Sequence, residues 1–456
     1  MTSPQQVLNA DFQIITNWIG STCLALSFVT ALPKAPLTID YQILEFDLWK
    51  SLHPTDICRI VCIFPFMDWN GYFEERPDRL AEIPGFDIDR VASAAGSAPE
   101  VLRLENLDTD FPPPPGVIER TRQAISLEAN SYLPFTGQDE LRELITSRHN
   151  QRYGCGESAS QCVITCGGTE AILDGILAGI QPGDAVVVSN PTYAGIINRI
   201  RLAGGIPLLC PLKIKDGGWR LDLNAFQELC ARPGTMMVLL MSPSMPSGHV
   251  LNREEWTVVA DCCDRYNLLL LYDAAMEALR FDGLELMHPF QFEGLKGRTA
   301  VIGSFSKEFR MIAWRVGWII APKVWAERIA RVHIFNAVTI SHFAQLGAIA
   351  ALEAPEDIGE FIRELESRRN EVMKQLSAWN PIRPDGGWSL LLDLSDFDFD
   401  AREASQQLLE KGKIAATPMD AWGSESAKNY LRIVFSREPL DRLSSLEARF
   451  QETFGH

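Results

Sequence analysis

From about residue 160 the chain settles into a repeating rhythm. Short apolar or β-branched runs stand at 163–166, 185–189, 206–210, 236–241, 268–272, 300–303 and 316–321. Longer stretches with helical apolar spacing separate them. "GTEAILDGILAGI" stops at "QPGD", and "EEWTVVADCCDRY" stops before "NLLLLYD". Runs this poor in polar residues predict strands buried on both faces, and their alternation with helices predicts βαβ crossovers in a mostly parallel sheet. After about 340 the pattern changes to a long helical stretch through Trp379, then "RPDGGWSLLLDLSDF" and a helix-rich tail. That change predicts a second, smaller α+β domain. The fold class is therefore α/β.

The first 66 residues lack these periods and are expected to form a poorly ordered extension. "DFPPPPG" at 110–116 predicts a stiff crossing segment, because consecutive prolines fix φ and deny helix. No internal repeat or low-complexity tract is present.

Composition narrows the function. The 456 residues carry 42 Lys and Arg against 59 Asp and Glu, a formal charge of −17, which argues against a nucleic-acid partner. At 46% hydrophobic and 22% charged the chain suits a globular protein with a large core. No apolar run approaches the roughly 18–20 residues that span a bilayer. "TCLALSFVTAL" at 22–32 is too short and has no basic residue before it, so neither a membrane span nor a secretory signal is expected. The ten cysteines include no Cys-x-x-Cys pair and fall mostly in apolar segments, the usage of buried thiols in a reducing compartment such as the cytoplasm. The histidines make no ligand spacing with them, so no metal site is expected.

Ligands of open parallel sheets bind beyond the carboxyl ends of the strands. After 163–166 comes Gly167-Gly168-Thr169-Glu170 opening a helix, where free N–H groups and a hydroxyl suit an anion. Tyr193 follows the second run and "SPSMPSG" the fourth. Asp273 follows the fifth, and Ser304-Phe305-Ser306-Lys307 the sixth, with Arg315 eight residues past the lysine. Taken singly, each reads as an ordinary cap, turn or surface residue. A lysine, a carboxylate, an aromatic ring and a phosphate cradle at one sheet edge are together what pyridoxal phosphate needs.

The segment from about 100 to 440 resembles the class I/II aminotransferases, the fold-type I pyridoxal phosphate enzymes. "SFSKEFRMIAWRVGW" at 304–318 is its most specific stretch. The resemblance implies that Lys307 is the Schiff-base lysine and proton shuttle, with Ser304 and Arg315 on the cofactor phosphate. "CGGTEA" at 166–171 is similar to the phosphate-loop segment, adding Gly168 and Thr169. Tyr193 resembles the ring-stacking aromatic and Asp273 the pyridinium partner. "SYLPFTGQDELR" at 131–142 resembles a segment whose tyrosine, here Tyr132, reaches the other subunit's phosphate, which implies a homodimer. "YLRIVFS" at 430–436 resembles the segment whose arginine, here Arg432, forks the substrate carboxylate. Asn336 and Trp388 are further substrate-contact candidates. The implied layout is a large cofactor domain at 118–335 and a smaller domain from 67–117 and 336–456. The implied reaction moves an amino group from an α-amino acid, neutral or aromatic by preference, to a 2-oxo acid.

Two positions depart from the family. Its Asn-Pro-Thr-Gly reads Met245-Pro246-Ser247-Gly248 here, and Met276 replaces the tyrosine that usually follows the aspartate by three residues. Neither methionine can donate a hydrogen bond to the cofactor's 3-oxygen. That oxygen should hold its charge and raise the pKa of the Schiff base. The pair reads either as compensated packing in an ordinary transaminase or as retuning toward a lyase or cyclase. A catalytically silent binding protein is the third reading, weakened by the retained Lys307, Asp273, Arg315 and Arg432. Leu107 stands near where relatives carry a glycine, which puts one carboxylate contact in doubt. His333, His342 and the adjacent Cys262 and Cys263 read as helix-face or core residues.

Overall fold

All seven apolar runs form strands of one sheet. In the computed structural model, which describes residues 80, 83, 87–126, 131–355 and 358–455, the strands are β1 (Leu102–Arg103), β2 (Cys162–Thr165), β3 (Ala185–Asn190), β4 (Ile206–Lys215), β5 (Gly218–Leu221), β6 (Thr235–Met241), β7 (Leu269–Asp273), β8 (Thr299–Ser304), β9 (Gly317–Ile320), β10 (Pro381–Ile382), β11 (Ser389–Asp393), β12 (Ile414–Ala415), β13 (Thr417–Pro418) and β14 (Tyr430–Val434). The extension at 1–66 lies outside the described residues.

The large sheet has eight strands in the order β2-β9-β8-β7-β6-β3-β4-β5. β4, β3, β6, β7 and β8 pair in parallel. β9 lies antiparallel between β8 and β2, so β2 shares the direction of the parallel set. β5 is the antiparallel arm of a hairpin with β4 that the sequence pattern did not single out. Every residue of β2, β3 and β8 is buried, as a sheet covered on both faces requires. The crossover helix Gly167–Gly179 lies close on the strands because Gly175 has no Cβ, which would meet Leu271 Cδ1 at 2.9 Å. The helix Arg253–Arg265 starts at a capping box, Asn252 accepting from Glu255 N at 3.0 Å and Glu255 from Asn252 N at 2.8 Å. The other oxygen of Glu255 accepts from Leu221 N at 2.7 Å and fixes the hairpin to that helix.

A second sheet, antiparallel and four-stranded in the order β10-β11-β14-β13, buries Leu390, Leu391, Leu392, Leu431 and Ile433 completely. β1 and β12 form a separate parallel pair. Among the described residues no helix is long and apolar enough to cross a membrane.

Arg369, on the helix Ile358–Gln375, joins this region to the large sheet. It is 1% exposed, grips both oxygens of Asp282 at 2.8 Å each and lies 5.0 Å from the centre of the Phe281 ring. The guanidinium holds the Asp282 carboxyl down to about 2, against its ordinary 3.8. A depressed carboxyl stabilises the fold fully above its unfolded value, and this share disappears as pH falls through the folded one. Asp282→Asn removes the guanidinium's nearer counter-charge, and with Asp282 partly open to solvent and Glu366 still 3.8 Å from Arg369 it should cost about 1–2 kcal/mol at pH 7 in urea unfolding. The gap between variant and parent should close between about pH 4 and 2.

Candidate active site

Because β2 and the parallel strands point the same way, their carboxyl ends deliver Thr165, Asn190, Met241, Asp273 and Ser304 to one edge of the sheet. β9 runs the opposite way and begins at that same edge, which brings Arg315 there from two residues before its start. A cavity of about 330 Å³ opens at this edge. Gly168, Thr169, Tyr193, Met245, Asp273, Met276, Ser304, Lys307 and Arg315 all line it.

One end of the cavity is an anion cup. The helix Gly167–Gly179 starts here, and its first backbone N–H groups have no partner within the helix. Gly167 adopts φ +72°, and a Cβ there would stand 2.6 Å from Arg315 Nη2, so only glycine lets the guanidinium close over the helix start. Arg315 donates to Ile312 O at 3.1 Å and to Ser306 Oγ at 3.3 Å, and lies 3.5 Å from Thr169 Oγ1. Ser304 Oγ accepts from Ser306 N at 3.1 Å. A guanidinium, three hydroxyls and a helix N-terminus around one space suit a phosphate.

Lys307 sits beyond the cup. Its Nζ donates to Leu107 O at 2.9 Å and lies 4.3 Å from the centre of the Trp388 ring. Burial of the amine, with Arg315 and Arg432 nearby, pulls its pKa from 10.5 to about 7 against the opposing pull of Asp108 and Asp273. An amine tuned this way is both nucleophile and proton carrier at neutral pH. Asp273 is 3% exposed, accepts from Ala275 N at 3.0 Å through one oxygen, and is raised by burial to about 6. Met245 and Met276, both buried, line the same cavity, so this wall offers sulfur where a donor is usual.

Arg432, on β14, is wholly buried. Its Nη2 donates to Glu105 O and lies 3.2 Å from Thr417 Oγ1, whereas Nε and Nη1 have no hydrogen-bond partner among the described residues. Burial lowers its pKa to about 9, which leaves it charged at pH 7. The Trp422 ring lies under the guanidinium at 4.6 Å and tilts against Tyr193 at 5.7 Å. A buried cation with two idle donors, close enough to Lys307 to depress its amine, is half of an ion pair.

Four predicted residues do not line the cavity: Arg432 and Trp388 are buried behind its wall, Trp388 against Lys307, and Tyr132 and Asn336 stand elsewhere. Tyr132 is 83% exposed and does not line the cavity of its own chain. Asn336 lies between helices, its amide 3.1 Å from Asp174 Oδ1, and does not line the cavity. Sequence reasoning missed Ser306, although the Ser-x-Ser-Lys pattern exposes it. It also missed Ile88, Asp89 and Asn106 at the cavity wall and Trp422 beneath Arg432, none of which carries a local signal.

The cup, the buried carboxylate and the low-pKa lysine fit pyridoxal phosphate: Arg315, Thr169, Ser304, Ser306 and the helix start could hold its phosphate, Asp273 could face its ring nitrogen, and Lys307 could supply the amine that its aldehyde requires. Similar proteins agree. The chain is 26% identical to aromatic-amino-acid aminotransferase 2 of Thermococcus litoralis, over 81% of this chain and 97% of that one. It is 29% identical to the arginine–pyruvate transaminase of Pseudomonas aeruginosa, over 75% and 87%. The crystal structure of aspartate aminotransferase from Thermotoga maritima superposes with a TM-score of 0.76 at 26% identity, covering 84% of this chain and all of that one. Residues 99–445 match aminotransferase class I and II, a span that takes in Asn106, Lys307 and Arg432 alike. The chain therefore belongs to the class I and II aminotransferase family and is a pyridoxal phosphate-dependent transaminase.

Proposed function

We propose that this transaminase takes its amino group from an α-amino acid with a neutral or aromatic side chain, passes it to a 2-oxo acid, and works in the cytoplasm as a homodimer. The observation that carries the substrate reading is Arg432: buried, charged, and with Nε and Nη1 unpartnered. An α-carboxylate supplies the missing charge and two acceptors. The rest of the wall supports an apolar side chain, since Ile88, Leu107, Ile172, Met241 and Ile312 line it, and Asp89 beside them disfavours a second carboxylate.

Pyridoxal phosphate, when bound, supplies the electron sink that makes the α-proton acidic. The protein does the rest. Arg432 fixes the carboxylate and thereby the direction of the α-C–H bond. Lys307 Nζ, neutral for part of the time at pH 7, takes that proton and returns it to a neighbouring carbon. The Trp388 face over Nζ keeps water from competing for it. Asp273 holds the ring nitrogen protonated.

The dimer reading rests on an apolar surface. Tyr132, at 83% exposure, shares it with Ile118 and Ile125 of the helix Val117–Ser126, with Phe135, and with Phe335 and Phe343. Thr339 Oγ1 lies 3.4 Å from Pro134 O and Gln138 Nε2 lies 3.3 Å from His342 Nε2, which holds segment 134–138 against 339–342, and the helix Val117–Ser126 packs on the helix that His342 opens. A second copy covering it would bring Tyr132 to the partner's phosphate cup.

Holoenzyme mixed with single amino acids and no oxo acid should convert stoichiometrically to pyridoxamine phosphate with neutral or aromatic donors and slowly with aspartate. Many turnovers without that conversion would instead mark a lyase or cyclase. Arg432→Lys should raise KM about 100-fold, from the roughly 3 kcal/mol lost with a bidentate charged pair. The double change Met245→Asn with Met276→Tyr should lower the midpoint of the holoenzyme's visible pH titration by about 1 unit, the worth of one charge-assisted hydrogen bond. An unmoved midpoint removes the methionines from that role. Sedimentation should give dimers, and Ile125→Arg with Phe335→Arg should yield monomers with weakened cofactor binding.

A further inference from the structure

Beneath the anion cup, facing away from the cavity, two helices bring together three ligating side chains that transamination does not use. Glu170 and Asp174 stand four residues apart on the helix Gly167–Gly179, which puts them on one face. His333 comes from the helix Lys323–Asn336 packed against it. Asp174 and His333 are 0% exposed and the Glu170 side chain 9%. His333 Nδ1 lies 3.4 Å from Glu170 Oε1 and 3.5 Å from Asp174 Oδ2, and the ligating atoms of all three fall within 4.8 Å of one another.

The hydrogen bonding around the cluster is one-sided. Glu170 Oε2 is occupied by the Cys166 N–H, and Asp174 Oδ1 by the Asn336 amide at 3.1 Å. Asn336 also reaches Glu170 Oε1, at a longer 3.5 Å. Among the described residues, Asp174 Oδ2 meets His333 Nδ1 only in a long ion-pair contact of 3.5 Å, and His333 Nε2 has no hydrogen-bond partner. Each carboxylate is thus held through one oxygen, with the other turned toward the imidazole. The charges are equally incomplete, because two buried carboxylates against one imidazole are not neutralised even when the ring is protonated. At metal–ligand bonds of about 2.0–2.1 Å, adjacent ligands of a tetrahedral ion stand roughly 3.3–3.4 Å apart, close to the two separations found.

We propose that Glu170, Asp174 and His333 bind a divalent transition cation of the zinc class, with water as fourth ligand. The expectation of no metal came from cysteine and histidine spacings. This cluster escapes such a reading because carboxylates of one helix meet a histidine far downstream. Asn336 acts here as an outer-shell group that orients Asp174. The site is built into the cofactor cup: Glu170 holds the Cys166 N–H, and the Cys166 carbonyl lies 3.5 Å from Arg315 Nη2. A bound cation would pin the helix start under the phosphate.

The test uses full-length holoenzyme treated with a chelator, dialysed, and titrated with zinc chloride by calorimetry, alongside metal analysis of the untreated protein. One equivalent should bind and raise Tm. His333→Gln and Asp174→Asn should abolish binding, and Asn336→Ala should weaken it about tenfold. Cobalt(II) in the parent protein should give ligand-field absorption at wavelengths longer than the cofactor band, a readout that needs no variant to fold. No heat, no change in Tm and no cobalt spectrum, or equal affinity in the ligand variants, would overturn the site and leave His333 as an imidazolium clamped between two carboxylates. Each outcome is independent of which amino acid the enzyme accepts.

Discussion

The constraint on which the rest depends is directional. Strands buried on both faces can satisfy their backbone groups only through neighbouring strands, so the chain leaves the sheet at its edges alone. With β2, β3, β4, β6, β7 and β8 running one way, all six strands end at the same edge. Polar side chains too costly for the core gather where the core ends. Asp273 and Ser304 are the last residues of their strands, and the sheet places them without help from loop conformation.

Burial then sets the chemistry. The surroundings that raise Asp273 to about 6 lower Lys307 to about 7, because both pay for leaving water and neither finds a full counter-charge nearby. The two groups are drawn into the range where each can exchange a proton near neutrality. Arg432 is handled differently, being too basic for burial to discharge, and waits as a charge with unfilled donors.

What the sequence revealed follows the same division. Six of the seven strands were legible within a residue or two, because continuous apolar runs between helical periods are a local signal, whereas β4 runs on to Lys215 through exposed, mainly polar residues that carry none. The hairpin arm Gly218–Leu221 was not, since four residues with Trp219 and Leu221 separated by Arg220 carry too little pattern. Nine site residues met at the cavity because they follow strand ends, and position relative to a strand is readable from the chain. Asn336 was misplaced as a substrate contact because one helix residue earlier or later faces a different neighbour, which only packing decides. Tyr132 stands exposed and away from its own cavity, where a residue expected to serve the other subunit would stand.

Trp422 has a consequence beyond filling space. Its indole touches Tyr193, beside the cofactor ring's proposed position, and lies under Arg432, the proposed grip on the substrate. Cofactor plane and carboxylate anchor are thereby spaced by one rigid ring rather than by two independent loops. A shift of the β14 sheet that carries Arg432 would press on the indole and through it on Tyr193, so the two grips would tend to move as one and keep the angle on which the choice of the breaking bond depends.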